Sequence, residues 1–217
     1  DSLFDYLHQG HLYKGNALKL QGKNVLALEC YYQSEKYAIR SGNQQYIGTA
    51  LLSIAATYED IENYSNAKRY YKESLKELRK SVDSIGVADA LNQLAKLYIN
   101  EDILDSALAY IREAYEIYNR KDDATGIAYS MGYTGIIYAK KGNDEVAEIY
   151  LRNPLEELEE LEDFEPICIF LTYLSDIFLR KNDWKQALAL AQSSLDNAVV
   201  NHLTEQISNA HFKLYEL

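Results

Sequence analysis

Histidine and cysteine are the residues of this sequence whose chemistry is most often catalytic or metal-binding. His8 and His11 lie three residues apart, so on a helix they would share one face and could bind a metal ion together. A zinc site needs three or four protein ligands, and no third ligand lies nearby, so we expect surface histidines and no metal. Neither Cys30 nor Cys168 has a local histidine or carboxylate arrangement that would activate a nucleophile. We therefore expect two free thiols, buried or half-buried, and no cofactor, which is compatible with a cytoplasmic protein.

The densest cluster of ionisable groups is an acidic run, in which seven of the ten residues from Glu156 to Glu165 are acidic. One interpretation is a solvated helix face, with Leu155, Leu158 and Leu161 turned inward at helical spacing. The alternative is a docking surface for a basic partner or a divalent cation. No calcium-loop pattern accompanies the run, so the first interpretation is preferred.

The composition argues against several classes of function. With 22 basic and 33 acidic residues the formal net charge is −11, whereas a nucleic-acid-binding surface needs clustered Lys and Arg. We therefore expect no contact with nucleic acid. The longest apolar stretch is less than half of the roughly 20 residues that a membrane span needs, so no membrane contact is expected either. The sequence also lacks a phosphate-binding loop, a dinucleotide fingerprint and a nucleophile-elbow motif, which favours a non-enzymatic protein whose catalytic domain, if any, lies outside this sequence.

An internal repeat of 40 residues reveals the elements that must position any binding surface. The first column of the repeat is alanine throughout: Ala27, Ala67, Ala107, Ala147 and Ala187. Twelve residues earlier lies a column of small residues: Gly15, Ala55, Ala95, Gly135 and Ser175. Three residues after each small residue lies a large side chain: Leu18, Tyr58, Tyr98, Tyr138 and Phe178. Several columns in one register indicate a repeat protein rather than an accident of composition.

Each repeat is predicted to form two helices. Leu51, Ile54, Ala55 and Tyr58 follow the i, i+3, i+4, i+7 spacing of one helical face. Connectors rich in Asn, Asp and Gly follow at regular intervals, and these residues end one helix and cap the next. The small residues allow the two antiparallel helices of a pair to approach closely, and one pair buries its apolar face only by stacking on the next.

A proline interrupts this pattern in the fourth repeat. Pro154 lies seven residues after Ala147, inside the predicted second helix, where it removes a backbone hydrogen bond and clashes with the preceding turn. The sequence around it also reads as a new helix start, with Asn153 as the cap, Pro154 as the first residue and Glu156 at the reciprocal capping position. We predict a break or kink at Asn153–Pro154.

A small residue, an aromatic residue three positions later and an alanine twelve positions later, on paired helices, resemble the tetratricopeptide repeat (TPR). The resemblance covers five repeats, at residues 6–43, 44–83, 84–123, 124–163 and 164–203, and the first helix of a sixth at 204–217. It implies an all-α fold, a right-handed superhelical solenoid of antiparallel helix pairs that forms a single domain over residues 1–217. The family's usual repeat has about 34 residues, so we expect helices about one turn longer or longer connectors.

The long repeat is also similar to repeats of bacterial sensory and regulatory proteins, at segments 126–130 and 135–138. That similarity implies a regulatory module of a larger bacterial signalling protein with a histidine-kinase, nucleotide-cyclase or helix-turn-helix output domain. The alternatives are a stand-alone scaffold or adaptor in a multiprotein assembly and a receptor for a signalling peptide. Because residues 204–217 resemble a first helix without its second, we expect the natural protein to continue.

In the TPR family the first helices of successive repeats line a concave groove that binds peptides or partner helices. The resemblance places in that groove Asn16, Lys19, Ser53, Glu59, Asn92, Gln93, Lys96, Tyr129, Tyr133, Tyr173, Asp176 and Arg180. Amide side chains hydrogen-bond a peptide backbone as donors and acceptors, and tyrosine offers a large contact area at low entropic cost. We therefore expect a protein or peptide partner, and a homodimer through the solenoid ends as a further contact. The family's site for chaperone C-termini is matched only at Asn16, so that activity is not expected.

Overall fold

The computed structural model describes residues 3–217, and within that range it contains only α-helices joined by short turns. The helices are α1 (Leu3–Leu20), α2 (Asn24–Ser41), α3 (Gln44–Asp60), α4 (Tyr64–Leu78), α5 (Ser84–Asn100), α6 (Leu104–Arg120), α7 (Ala124–Lys140), α8 (Asp144–Arg152), α9 (Leu155–Glu160), α10 (Phe164–Arg180), α11 (Trp184–Val200) and α12 (Thr204–Glu216). None of the helices in residues 3–217 combines the length and the apolar character that crossing a lipid bilayer requires.

The chain divides into two compact units, Asp1–Leu97 and Tyr98–Leu217, named the N-terminal unit and the C-terminal unit below. In the N-terminal unit α1 packs on α2, and α3 packs on α4. In the C-terminal unit α7 packs on α8, α10 on α11, and α11 on α12. Within each unit the chain is a series of antiparallel helix pairs, in which α1, α3, α7, α10 and α12 are first helices. The remaining first helix, α5, runs across the boundary between the units.

A left-handed residue recurs in the turns, mostly at 20-residue intervals, and explains the length of the repeat. The left-handed positions are Gly22, Gly42, Glu62, Asp102, Asp122, Gly142, Glu162, Asn182 and His202. Such a residue closes the helix end, since the backbone N–H after it returns to the last turn; the Asn63 N–H donates to the Tyr58 carbonyl at 2.8 Å. Most helices span 17 or 18 residues, so the 40-residue period comes from longer helices rather than from longer connectors.

Helix capping by the connectors is confirmed at six helix starts, whereas Lys23, Ile103, Asp163 and Leu203 make no side-chain cap. The side chains that accept a hydrogen bond from a backbone N–H of the next helix are Asn43, Asn63, Asp83, Asp123, Asn143 and Asp183. Each satisfies a donor that the first turn of a helix leaves without an intrahelical partner. The connectors therefore fix where the helices start as well as where they end.

The small-residue columns lie where the two helices of a pair touch, as the repeat predicts. All five alanines of the first column are 0% exposed. A Cβ atom at Gly15 would lie 2.5 Å from the Tyr31 ring, and one at Gly135 would lie 2.7 Å from Cγ of Leu151. Side chains cannot approach so closely, so glycine is what allows the first helix to contact the second in these two pairs.

A serine column that sequence analysis did not predict joins second helices to first helices. Ser34, Ser74 and Ser194 donate their hydroxyls to the carbonyls of His8, Gly48 and Cys168 at 3.0, 2.7 and 2.9 Å. In each case the donor and acceptor are 26 residues apart and buried. A hydrogen bond of this kind contributes about 1 kcal/mol to stability, and losing one partner leaves a buried polar group unsatisfied.

The predicted break at Asn153–Pro154 is confirmed, because α8 ends at Arg152 and α9 begins at Leu155. The predicted cap is wrong. Asn153 has helical φ and ψ of −56° and −39°, and its N–H still donates to the Ile149 carbonyl. Pro154 makes no side-chain cap. The backbone therefore bends through the proline without opening a new capped helix.

The acidic run after this bend packs through two of its three predicted leucines. Leu158 is 0% exposed and Leu155 is half-buried. Leu161 is 43% exposed, so the prediction for it is wrong. The reason is that α9 ends at Glu160 and the left-handed Glu162 reverses the chain directly after Leu161. Over residues 3–217, no three His, Cys, Asp or Glu side chains converge in a way that could hold a metal ion.

Candidate functional site

His8 is a packing residue, and the expectation of a surface histidine is wrong for it. It is 1% exposed, its Nδ1 lies 2.8 Å from Oγ of Ser34, and its ring stacks on Tyr46 with a 4.6 Å centroid distance. Burial lowers the pKa of His8, against the weaker opposing effects of Ser34 and Asp5. Its register position is also occupied by Gly48 and other buried residues, which is the signal that predicts its burial.

Both cysteines are free and buried, as expected. Burial raises the pKa of the Cys168 thiol to about 11, so the reactive thiolate form is scarce at neutral pH. The Cys168 thiol also donates to the Ser194 carbonyl at 3.5 Å. Cys168 is therefore part of the contact between α10 and α11.

Seven predicted groove residues lie in the N-terminal unit: Asn16, Lys19, Ser53, Glu59, Asn92, Gln93 and Lys96. Several of them are bonded within that unit. The Glu59 carboxylate accepts the Tyr71 hydroxyl at 2.8 Å and pairs with Lys96 at 2.9 Å. Lys19 pairs with Asp60 at 3.2 Å, and Asn16 Oδ1 accepts the Tyr31 hydroxyl at 2.8 Å.

The other three predicted residues are buried, half-buried or hydrogen-bonded within their own helix. Asn92 is 4% exposed, so it is not an open groove side chain. The Ser53 hydroxyl donates to the Thr49 carbonyl of its own helix at 3.1 Å, and Gln93 is half-buried. The predicted polar surface of the N-terminal unit is thus largely occupied by its own contacts.

The predicted residues of the C-terminal unit are arranged differently. First helix α10 lies against first helices α7 and α12. The Tyr129 and Tyr133 rings of α7 have a 6.1 Å centroid distance, and Asp176 of α10 pairs with Lys213 of α12 at 2.6 Å. We call the surface formed by Tyr129, Tyr133, Tyr173, Asp176 and Lys213 the first-helix face. Arg180 does not join it, because its guanidinium pairs with Asp144 of second helix α8.

Two tyrosines of this face, Tyr129 and Tyr173, stay protonated. Burial raises the pKa of Tyr129, and its hydrogen bond to Asp163 at 2.6 Å raises it further. Burial also raises the pKa of Tyr173, with a smaller contribution from Asp176. Both phenols are therefore neutral at physiological pH. Asp163, which accepts the Tyr129 hydroxyl, makes no side-chain cap on α10.

A cavity of about 410 Å³ opens between α10, α11 and α12 at the end of the first-helix face. Its polar lining includes Thr172, Tyr173, Asp176, Gln206, Asn209 and Lys213. Phe212 lines it too and is 63% exposed. Its volume lies within the range of about 300–1,000 Å³ for small-ligand pockets. A few polar groups among apolar walls are the usual composition of such pockets.

Gln206 is the most informative residue of this cavity. It is only 7% exposed, yet its side-chain amide has no hydrogen-bond partner in the part of the chain that the structure describes. The amide atoms themselves reach solvent at the cavity, because the buried side-chain atoms without a partner in residues 3–217 are Asn24 Oδ1 and Gln44 Oε1. The amide lines an open cavity, so water or a ligand can be its hydrogen-bond partner.

Sequence analysis did not predict Gln206, Asn209 or Lys213, because it ended the groove at the fifth repeat. The 40-residue register contains the signal that was needed. Lys213 occupies the position of Tyr173, and Asn209 that of Tyr129, when the repeat is continued through α12. The sixth first helix thus completes the site with the same columns as the fourth and fifth.

Comparison with known proteins gives a match in structure but not in sequence. No family model matches the sequence, and a search of the curated proteins finds no match. The chain is similar to a Rap protein in complex with competence and sporulation factor, with a TM-score of 0.78 and 16% identity over 94% of this chain and 57% of that chain. It is also similar to the Rap conjugation gene regulator of plasmid pLS20 in complex with a Phr peptide, with a TM-score of 0.76 and 16% identity over 93% and 56%. A TPR protein of Thermus thermophilus aligns with a TM-score of 0.63 and 19% identity over 96% and 99%.

These comparisons define the class of fold. The chain has a TPR-like helical-repeat fold, an all-α solenoid built of antiparallel helix pairs. It spans 57% and 56% of the lengths of the two Rap proteins.

Proposed function

We propose that this chain is a non-enzymatic peptide-binding module of the TPR type, and that its binding site is the first-helix face with the cavity at α12. The observation that carries the proposal is the Gln206 amide, which faces an open cavity and makes no hydrogen bond within residues 3–217. A peptide backbone offers the N–H and C=O groups that such an amide bonds as acceptor and donor.

The surroundings of Gln206 support a peptide rather than a smaller ligand. The exposed ring of Phe212 provides apolar contact at the cavity, and Tyr129 and Tyr133 extend the aromatic surface along α7. Tyrosine and asparagine are typical of surfaces that bind peptides through adaptable hydrogen bonds and rigid rings. An extended peptide that inserts one side chain at α12 would also contact the tyrosines of α7.

The similar structures favour a regulatory role. Two of them are Rap proteins in complex with competence and sporulation factor and with a Phr peptide. We propose that this chain likewise receives a signalling peptide, as the regulatory part of a larger bacterial signalling protein.

The test is a selection of short random peptides against the protein, followed by affinity measurements on the selected sequence. Gln206→Leu keeps the shape of the side chain and removes the amide, so we expect it to fold with unchanged or higher melting temperature. It should weaken the selected peptide about tenfold. Tyr173→Ala should weaken it as well, whereas Ser53→Ala, a matched change on a first helix of the N-terminal unit, should not. Failure to select any peptide, or equal affinities for all variants, would contradict the proposal.

A further inference from the structure

The C-terminal unit has a second cavity of about 450 Å³, on the side of its second helices α6 and α8. Leu108, Ile111, Tyr115, Tyr138, Ile149 and Tyr150 provide much of its wall. It shares no lining residue with the cavity at α12, so inferences about it are independent of the proposed function. The corresponding positions of the N-terminal unit, 80 residues earlier in the sequence, show what this space accommodates.

In the N-terminal unit a phenol occupies the corresponding position. The Tyr32 hydroxyl lies 2.9 Å from the Tyr58 hydroxyl and 3.0 Å from the Tyr70 hydroxyl. The Tyr58 and Tyr70 rings stack with a 5.5 Å centroid distance, and the Arg69 guanidinium covers Tyr70 at 4.0 Å. The Tyr32 hydroxyl therefore gives both other hydroxyls a hydrogen-bond partner, and the three phenols form one cluster in that unit.

In the C-terminal unit the same pair of tyrosines is present and the third phenol is missing. The Tyr138 and Tyr150 rings stack with a 6.0 Å centroid distance. Their hydroxyls have no hydrogen-bond partner among the residues that the structure describes. The position of Tyr32 is taken by Arg112, and that of Arg69 by Ile149, which is 59% exposed. The substitution of Arg112 for tyrosine thus leaves two stacked phenols facing an open cavity.

The Arg112 guanidinium makes no ion pair, hydrogen bond or ring contact within residues 3–217. Another arginine in the same register position behaves differently. The Arg152 guanidinium lies 5.4 Å from the Phe178 ring centroid and its Nε pairs with Glu148 at 2.9 Å. The cavity also contains Glu116, which pairs with Arg120 at 3.9 Å. Arg112 is therefore a cation without an ion-pair partner, and an arginine guanidinium prefers a carboxylate partner.

We propose that this cavity binds the tyrosine side chain of a partner protein segment, with a neighbouring carboxylate of that segment paired to Arg112. The phenol takes the place that Tyr32 has in the N-terminal unit, and its hydroxyl bonds those of Tyr138 and Tyr150. The exposed side chains of Tyr115 and Ile149 lie beside the opening. They contact residues of the segment next to the tyrosine, which a free small molecule would not provide.

The probe is the peptide acetyl-Glu-Tyr-Leu-amide, titrated against the full chain by NMR. Two matched peptides carry Phe in place of Tyr or Lys in place of Glu, and each should bind at least about fivefold more weakly, since each loses hydrogen bonds to the site. Equal affinity of the Phe peptide would overturn the role of the phenol. Equal affinity of 4-hydroxyphenylacetate would also overturn the proposal, because the occupant would then be a small aromatic acid.

Three variants locate the binding. Arg112→Tyr restores the phenol of the N-terminal unit, so it should fill the cavity, abolish probe binding and raise the melting temperature by about 2 °C. Arg112→Gln removes the charge without filling the space, and it should weaken the Glu peptide to the affinity of the Lys peptide. Lys185→Gln, an exposed cation on α11, is the matched control and should change nothing. Wild-type affinity in Arg112→Tyr would exclude this cavity as the site.

Discussion

The two units of this protein share one helical register and differ in where their polar side chains find partners. In the N-terminal unit the Tyr32 hydroxyl bonds those of Tyr58 and Tyr70, and Glu59 holds both Tyr71 and Lys96. In the C-terminal unit Gln206 lines a cavity of about 410 Å³, and Arg112 lines a second cavity of about 450 Å³. Their side chains have no partner within the described part of the chain.

This difference separates the positions of the repeat that determine the fold from those at which we propose binding. The alanine column is 0% exposed in both units, and the left-handed turns recur in both. The alanine positions leave little choice of side chain, because the helices must touch. The turn positions fix the backbone but are occupied by Gly, Glu, Asp, Asn or His. A position such as 32 or 112 tolerates tyrosine or arginine without changing the helices. Both proposed binding sites lie where the repeat constrains the backbone but not the side chain.

The strongest test of this division is the close contact between α7 and α10 in the C-terminal unit. A Cβ atom at Gly132 would overlap the Phe170 ring, so Gly132→Ala should destabilise the protein by about 1–3 kcal/mol in urea unfolding. Gly10→Ala on α1 is the matched control, because a Cβ there meets nothing within 4 Å. It should stabilise by up to about 1 kcal/mol, as expected for a helical glycine. An unchanged free energy of unfolding in Gly132→Ala would show that this contact does not stabilise the C-terminal unit.

A second test uses the pH dependence that His8 gives to the N-terminal unit. Burial lowers the pKa of His8 below its ordinary 6.5, so the unfolded chain takes up a proton before the folded chain does. Stability should therefore be highest above pH 6.5 and fall as the pH drops below it. Thermal unfolding between pH 7.5 and 5, on the wild type and on His8→Gln, measures this effect. The pH dependence should be smaller in the variant, and an identical dependence would assign it to other groups.

The smallest expected effect concerns the turns, which the two units have in common. Glu62 and Glu162 are left-handed, with φ of 59° and 55°, a conformation that costs a non-glycine residue roughly 1–2 kcal/mol. Glu62→Gly and Glu162→Gly should each stabilise the protein by a few tenths to about 1 kcal/mol, because glycine removes that strain at an entropic cost in the unfolded state. Gly142→Glu, at φ of 75°, should have the opposite effect. Different signs for the two Glu variants would show that the turns are not equivalent.

The sequence predicts the fold well because the repeat expresses local constraints. The alanine column, the small residues at Gly15 and Gly135 and the break at Pro154 each follow from sterics within one helix pair. The cap at Asn153 was wrong because the backbone keeps helical geometry through the bend. His8 was wrong because its position near the terminus was taken as exposed, whereas its register position is buried.

The candidate sites were harder to predict, because they depend on which partners are absent. The groove residues Tyr129, Tyr133, Tyr173 and Asp176 were named from the repeat; the first two are paired on α7, and the other two line the cavity on α10. No pattern in the sequence says that Gln206 is buried without a partner. The cavity beside Arg112 is likewise visible only when three helices are assembled and compared with the N-terminal unit.

The central claim is that Gln206 completes its hydrogen bonds with a peptide. The most direct measurement is the NMR signal of the Gln206 side-chain amide, assigned by comparison with Gln206→Leu, during titration with the selected peptide. We expect this signal to shift strongly and to saturate with the binding curve, together with backbone signals of α10 and α12. A saturating titration that leaves the Gln206 amide unchanged would contradict it.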